Sequence, residues 1–150
     1  AARRIHSALG PGLLEHVYEV VLGHELIRNG VPVERQRLFP VRYGRIVVEK
    51  GFRADLVVDD RLLVEVKSAS RLVTVHRQQV TSYCRMAGFE LGLLVNFGGE
   101  SMEGAVQRIE VGPRPDPLAM LEPGPLPSLA AIDGAAARRT GRPAADRGDG

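Results

Sequence analysis

Two short runs, Phe52–Val58 and Leu62–Lys67, are apolar on both faces of any strand they could form, yet Asp55, Glu65 and Lys67 stand inside them. Strands of that kind belong in the middle of a sheet that is covered on both sides. Asp, Glu and Lys are almost never fully buried unless paired, so the fold must bring these charges to one another or to a ligand. Glu65 and Lys67 are two positions apart and share a strand face. Where Asp55 falls depends on the turn between the runs. A two-residue turn at Asp59-Asp60 sets Asp55 opposite Val64 and leaves Glu65 on the other face. A three-residue turn, Asp59 to Arg61, sets Asp55 opposite Glu65 and Arg53 opposite Lys67.

If the charges converge, their energetics limit what they can be. Two carboxylates about 4 Å apart repel by roughly 4 kcal/mol at an effective dielectric of about 20, and one lysine must offset both that and the desolvation. A divalent cation neutralises such a patch better; the alternative is a structural Asp/Glu–Lys cluster. Of the twenty basic residues, only Lys50 and Lys67 are lysines. A cation kept merely for solubility would be Arg in this chain, so Lys67 points to a need for a compact ammonium. A biased composition with two leftover lysines is the plainer explanation, and it suits Lys50 better.

The surrounding chain reads as one domain followed by a tail. Residues 1–8 end a helix at Leu9-Gly10-Pro11, and a second helix runs from Gly12 to Asn29 and stops at Gly30. Val33 to Tyr43 and a returning strand from Ile46 flank a turn at Gly44, with a kink expected at Lys50-Gly51. After Leu62 to Ser68, Thr74 can cap a helix from Val75 to Ala87, closed by Gly88. Leu91 to Phe97 is a short apolar strand and Val106 to Val111 a weaker last one. The order predicts an α/β (α+β) fold, a mixed sheet flanked by helices. From Gly112 to Gly150 the sequence turns rich in Pro, Gly and Ala without periodicity, and disorder is expected there.

Composition removes several function classes. No apolar run approaches the roughly 18 residues of a membrane span, and no basic-then-apolar leader is present. A lone cysteine, Cys84, permits no internal disulfide and no thiolate zinc site, and fits a reducing, cytoplasmic setting. The formal net charge of +2 does not by itself argue nucleic-acid binding.

Both long helices add polar candidates. Glu15 lies on a stripe with Leu22 and Leu26, with Tyr18 three residues on. It is either a first-turn residue favoured by the helix dipole or a site ligand. His76, Gln79 and Tyr83 fall at i, i+3 and i+7 of the later helix, either as a solvated face or as a phosphate-positioning stripe.

Together these residues resemble the GxxExxY proteins of the PD-(D/E)xK nuclease superfamily. The motif stands as Gly12-Leu-Leu-Glu15-His-Val-Tyr18, preceded by Leu9-Gly10-Pro11. Arg53-Ala-Asp55-Leu, Glu65-Val-Lys67, His76 and Leu93-Leu-Val-Asn96-Phe97 follow in matching order, so the resemblance covers residues 1–111. It implies a restriction-endonuclease-like αβββαβ core and a Mg²⁺ or Mn²⁺ site. Asp55 and Glu65 would be ligands, Glu15 a further carboxylate, and the Val66 carbonyl would complete the sphere; hard oxygen donors are what Mg²⁺ demands. Lys67 would stabilise or help deprotonate the attacking water. Gln79-Val-Thr-Ser-Tyr83 resembles the QxxxY motif of the exonuclease branch, which assists in positioning metal and strand. Ala54 replaces the proline of the superfamily's "PD", which removes no ligand.

The leading expectation is a metal-dependent nuclease acting on a phosphodiester, DNA more than RNA. A catalytically silent nucleic-acid-binding module and a structural or interaction domain are the alternatives. The near-neutral charge predicts few phosphate contacts, and a homodimer would enlarge the footprint.

Overall fold

The structure, a computed structural model, describes residues 1–112. The expected disordered tail therefore lies, from residue 113 onward, outside the described residues. Eight elements follow in order: α1 (Ala2–Leu9), α2 (Glu15–Arg28), β1 (Val33–Tyr43), β2 (Ile46–Val58), β3 (Leu62–Lys67), α3 (Thr74–Ala87), β4 (Leu91–Asn96) and β5 (Val106–Glu110). The five strands form one sheet in sequence order; β3 and β4 are parallel, joined by α3, and the other neighbours are antiparallel.

The sheet divides two cores. Ile5, Tyr18 and Leu22 of α1 and α2 pack on Leu56, Val64, Val66, Val95 and Phe97. On the other side Val80 and Cys84 of α3 pack on Phe39, Phe52, Ala54, Val57, Leu63 and Leu94. Burial pushes the Cys84 thiol up to about 11, which leaves it inert as a nucleophile.

The strand boundaries follow the apolar runs closely, and the helix starts depart from them. The helix expected from Gly12 begins at Glu15, because Gly12 takes φ 100 and Leu14 is extended at φ −65, ψ 146. Thr74 is not the cap of α3. Val73 is the N-cap, and the Nδ1 of His76 accepts the Val73 N–H at 3.4 Å.

The expected kink at Lys50-Gly51 is a register slip. Phe39 pairs with Phe52 but Val41 pairs with Val48, so Glu49, Lys50 and Gly51 stand opposite Pro40 alone. A side chain at Gly51 would run into Val41, including its backbone nitrogen. Pro40 has no N–H to give the ladder, so this is where an irregularity costs least.

Candidate active site

The turn between β2 and β3 has three residues: Val58 pairs with Leu62, then Val57 with Leu63 and Leu56 with Val64. Asp59 and Asp60 both take left-handed backbone (φ 52 and 50), a conformation Asp tolerates better than most side chains. Of the two turns open to the sequence, this one sets Asp55 opposite Glu65. The regular ladder ends at Leu56–Val64, and the Asp55 Oδ2 accepts the Val66 N–H at 2.9 Å where the strands part.

Asp55, Glu65 and Lys67 act electrostatically on one another, and Glu15 acts on all three. Lys67 Nζ donates to Glu65 Oε1 at 2.8 Å, with both side chains largely out of water. The other oxygen of that carboxylate, Glu65 Oε2, is buried without a hydrogen-bond partner. Burial first, then the charge of Asp55, pushes the Glu65 carboxyl up to about 7. Asp55 is raised too, by burial, although the Val66 N–H and Lys67 pull it down. Burial pushes Lys67 down, but its bond to Glu65 and the surrounding carboxylates outweigh that and leave it raised.

Glu15 reaches the end of β3 through the loop ahead of α2. Its Oε1 accepts the Ser68 N–H at 3.3 Å, and the Ser68 hydroxyl donates to the Leu13 carbonyl at 2.7 Å. Tyr18 holds that loop. It is fully buried and stacked on Phe97 with centroids 4.5 Å apart. Its hydroxyl donates to Gly10 O at 2.6 Å and accepts the Leu13 N–H at 3.2 Å. The three spaced residues of Gly12-x-x-Glu15-x-x-Tyr18 thus have separate work: Gly12 turns the chain, Glu15 faces the cluster, and Tyr18 staples the loop that carries it. A side chain so buried cannot meet a nucleic-acid strand directly, and the positioning role of Tyr18 is internal.

The polar stripe of α3 stands apart from the carboxylates in its hydrogen bonding. Gln79 Nε2 donates to the Tyr83 hydroxyl at 3.2 Å, and the Tyr83 ring stacks on Phe52 at 4.3 Å. His76 is occupied with Val73. Asn96 fixes the loop after β3: it accepts the Ala69 N–H at 2.9 Å and donates to Ala69 O at 2.8 Å.

Sequence reasoning missed Glu19, Arg35 and Gln36. Glu19 is buried one helical turn after Glu15; its Oε1 accepts from Arg35 Nε at 3.0 Å and its Oε2 from Gln36 Nε2 at 2.7 Å. Gln36 also donates to Asp55 Oδ1 at 3.3 Å. The i, i+4 spacing of Glu15 and Glu19 was the available signal. A cavity bordered by Glu15, His16, Glu19, Gln36, Arg53 and Asp55 opens beside the cluster on the α2 side.

The donor chemistry suits a hard divalent cation: the carboxylates of Asp55 and Glu65, the latter with its Oε2 buried and bare. Among the described residues, however, no group of three or more Asp, Glu, His or Cys side chains stands close enough to hold a metal by side chains alone.

A mixed five-stranded sheet carrying Asp and Glu-x-Lys where β2 and β3 part is a restriction-endonuclease-like fold. A family profile described as the PD-(D/E)XK nuclease superfamily matches residues 1–109, and the chain belongs to that superfamily. No curated protein matches the chain significantly. A solved structure titled "Crystal structure of SSO0001" is similar, at 20% identity over 67% of this chain, with a TM-score of 0.47. The chain spans about half, 50%, of that protein's length.

Proposed function

We propose that the protein hydrolyses phosphodiester bonds of nucleic acid with the help of a divalent cation, Mg²⁺ or Mn²⁺. The observation that carries this reading is the bare, buried Glu65 Oε2 beside Asp55 and Lys67, in a chain of nuclease ancestry. Asp55, Glu65 and the Val66 carbonyl would hold the cation, with Glu15 adjoining. Once bound, it would supply Lewis-acid neutralisation of the charge that gathers on the phosphate. Lys67, held by Glu65, keeps a compact ammonium at the cluster, where it steadies developing negative charge and orients the attacking water. Gln79 and Tyr83 are proposed to position the strand. The Gly12, Glu15 and Tyr18 spacing supports a place among the GxxExxY proteins.

One observation favours a second reading, a binding module without turnover: among the described residues no third carboxylate stands close enough to Asp55 and Glu65 to complete a metal site, Glu15 being hydrogen-bonded to Ser68. The test is cleavage of a mixed set of DNA and RNA, single- and double-stranded, in Mg²⁺, Mn²⁺ and EDTA. Metal-dependent products that EDTA abolishes support the nuclease. A pure protein that binds and never cuts favours the module.

A further inference from the structure

Residues 42–51 are all exposed, so no described helix covers the outer half of the β1–β2 hairpin. From the Leu38–Arg53 rung to the Tyr43–Ile46 rung at its tip, the hairpin reaches out by about 17 Å, at roughly 3.4 Å per residue. Charge is concentrated here. Residues 33–53 hold Arg35, Arg37, Arg42, Arg45, Lys50 and Arg53 against only Glu34 and Glu49, while the whole chain is at +2, so the remainder is net acidic. Arg35 and Arg37 are engaged with Glu19 and Asp60. Arg42, Arg45, Lys50 and Arg53 are exposed and form no salt bridge among the described residues.

Three of these cations, Arg42, Arg45 and Arg53, are arranged with respect to the site. Phe39 and Val41 pack on the α3-side core, so alternation places Arg42 on the other side of the hairpin. That is the side of the cavity where Arg53 borders Asp55 and Glu15. Arg53, Arg42 and the tip residue Arg45 therefore lead outward from the carboxylates. The exposed aromatic of the hairpin, Tyr43, alternates with Val41 to the opposite side. A single strand is gripped by aromatic platforms on which its bases stack. A cationic ribbon without aromatics on its working side suits the evenly charged backbone of a duplex.

We propose that the outer β1–β2 hairpin is an arm that lies along the phosphate backbone of a duplex and seats it over the carboxylate cluster through Arg42 and Arg45. The choice of a nucleic acid as ligand rests on the nuclease reading; the choice of this surface rests on the charge and exposure of the hairpin. Its opposite side, with Tyr43, Ile46 and Val48, would fit a second copy of the chain instead, and the test separates the two.

Binding of the full chain to a short labelled DNA duplex is measured in EDTA across a salt series, for the parent and for Arg42→Gln/Arg45→Gln. The substitutions lie on an exposed ribbon, and an unchanged melting temperature verifies the fold. The slope of log affinity against log salt should fall by about 2, close to one per lost phosphate contact, with affinity lower by about tenfold or more. A parent that binds the duplex and a double variant with the same affinity and slope would overturn the arm and leave the nuclease reading standing. A parent that binds neither duplex nor single strands in EDTA or Ca²⁺ would overturn the nucleic-acid reading and the arm with it. A dimer seen by sedimentation, lost together with duplex binding in Tyr43→Ser but not in the charge variant, would make the hairpin a subunit interface and overturn the arm.

Discussion

Gln36 and Asp55 oppose each other at a rung where both strands change sides of the sheet. On β2, Phe52 and Ala54 pack on the α3-side core, yet Leu56 and Val58 pack on the α1/α2 side. On β1, Arg35 reaches Glu19 on the α2 side, whereas Phe39 and Val41 face α3. Gln36 takes φ 55, and the pairing that flanks it (Arg35 with Leu56, Arg37 with Ala54) skips this rung. Its amide spans the carboxylates of Glu19 and Asp55, at 2.7 and 3.3 Å. A left-handed residue inside a strand costs stability, and here it lets the Asp55 carboxylate serve both β3 and the α2-side cavity.

Two substitutions separate the strain at Gln36 from its hydrogen bonds. Gln36→Gly and Gln36→Ala both lose the amide, but only glycine takes φ 55 without penalty. The alanine variant should be the less stable of the two by about 1 kcal/mol in urea unfolding. Equal stability would mean that the rung relaxes and stores no strain.

Glu65 gives the metal-free protein an unusual pH dependence. Its folded carboxyl is raised from 4.5 to about 7, so the folded state holds the proton more tightly than the unfolded chain. Its contribution is fully stabilising below about 4.5 and is lost as pH rises through about 7. Relative to Glu65→Gln, the parent in EDTA should lose on the order of 3 kcal/mol across that interval. Asp55, also raised, works in the same direction. Divalent metal at neutral pH should restore the parent and hardly affect the variant. If the parent instead gains on Glu65→Gln as pH rises, the cluster is a satisfied ion network.

How far the sequence disclosed this site differs from residue to residue. Asp55, Glu65 and Lys67 were legible because a charge inside an apolar strand is anomalous wherever it occurs. The three-residue turn was open to the sequence but not chosen by it alone; Asp59 and Asp60 in left-handed backbone show why these residues favour it. The change of sides at Asp55 was not legible, since Ala54, Leu56 and Val57 are all apolar and fit either side. Glu19 was hidden for another reason: on a helix it reads as one more solvated glutamate, and only its partners Arg35 and Gln36, brought in by β1, mark it as buried.

Tyr18 offers a test of the loop that carries Glu15. Tyr18→Phe keeps the stack on Phe97 and removes the hydroxyl that holds Gly10 and Leu13. Melting should fall by an amount corresponding to about 1 to 2 kcal/mol. Hydrogen exchange should rise at Leu13 and Ser68 more than in the core strands. Unchanged exchange at both would show that the loop is held by Ser68 alone.

The most direct test of the central claim is the rate of Mg²⁺-dependent cleavage by Lys67→Arg, measured beside its nucleic-acid affinity. Arginine preserves the charge and can still pair with Glu65, but a planar guanidinium is bulkier, differently directed and unable to give up a proton. Cleavage should fall by at least about a hundredfold, the usual scale for losing an electrostatic or acid–base contributor, while binding stays near the parent's. Near-normal cleavage by Lys67→Arg would contradict the role assigned to Lys67. A parent that binds as tightly as its variant and cuts nothing would contradict the nuclease itself.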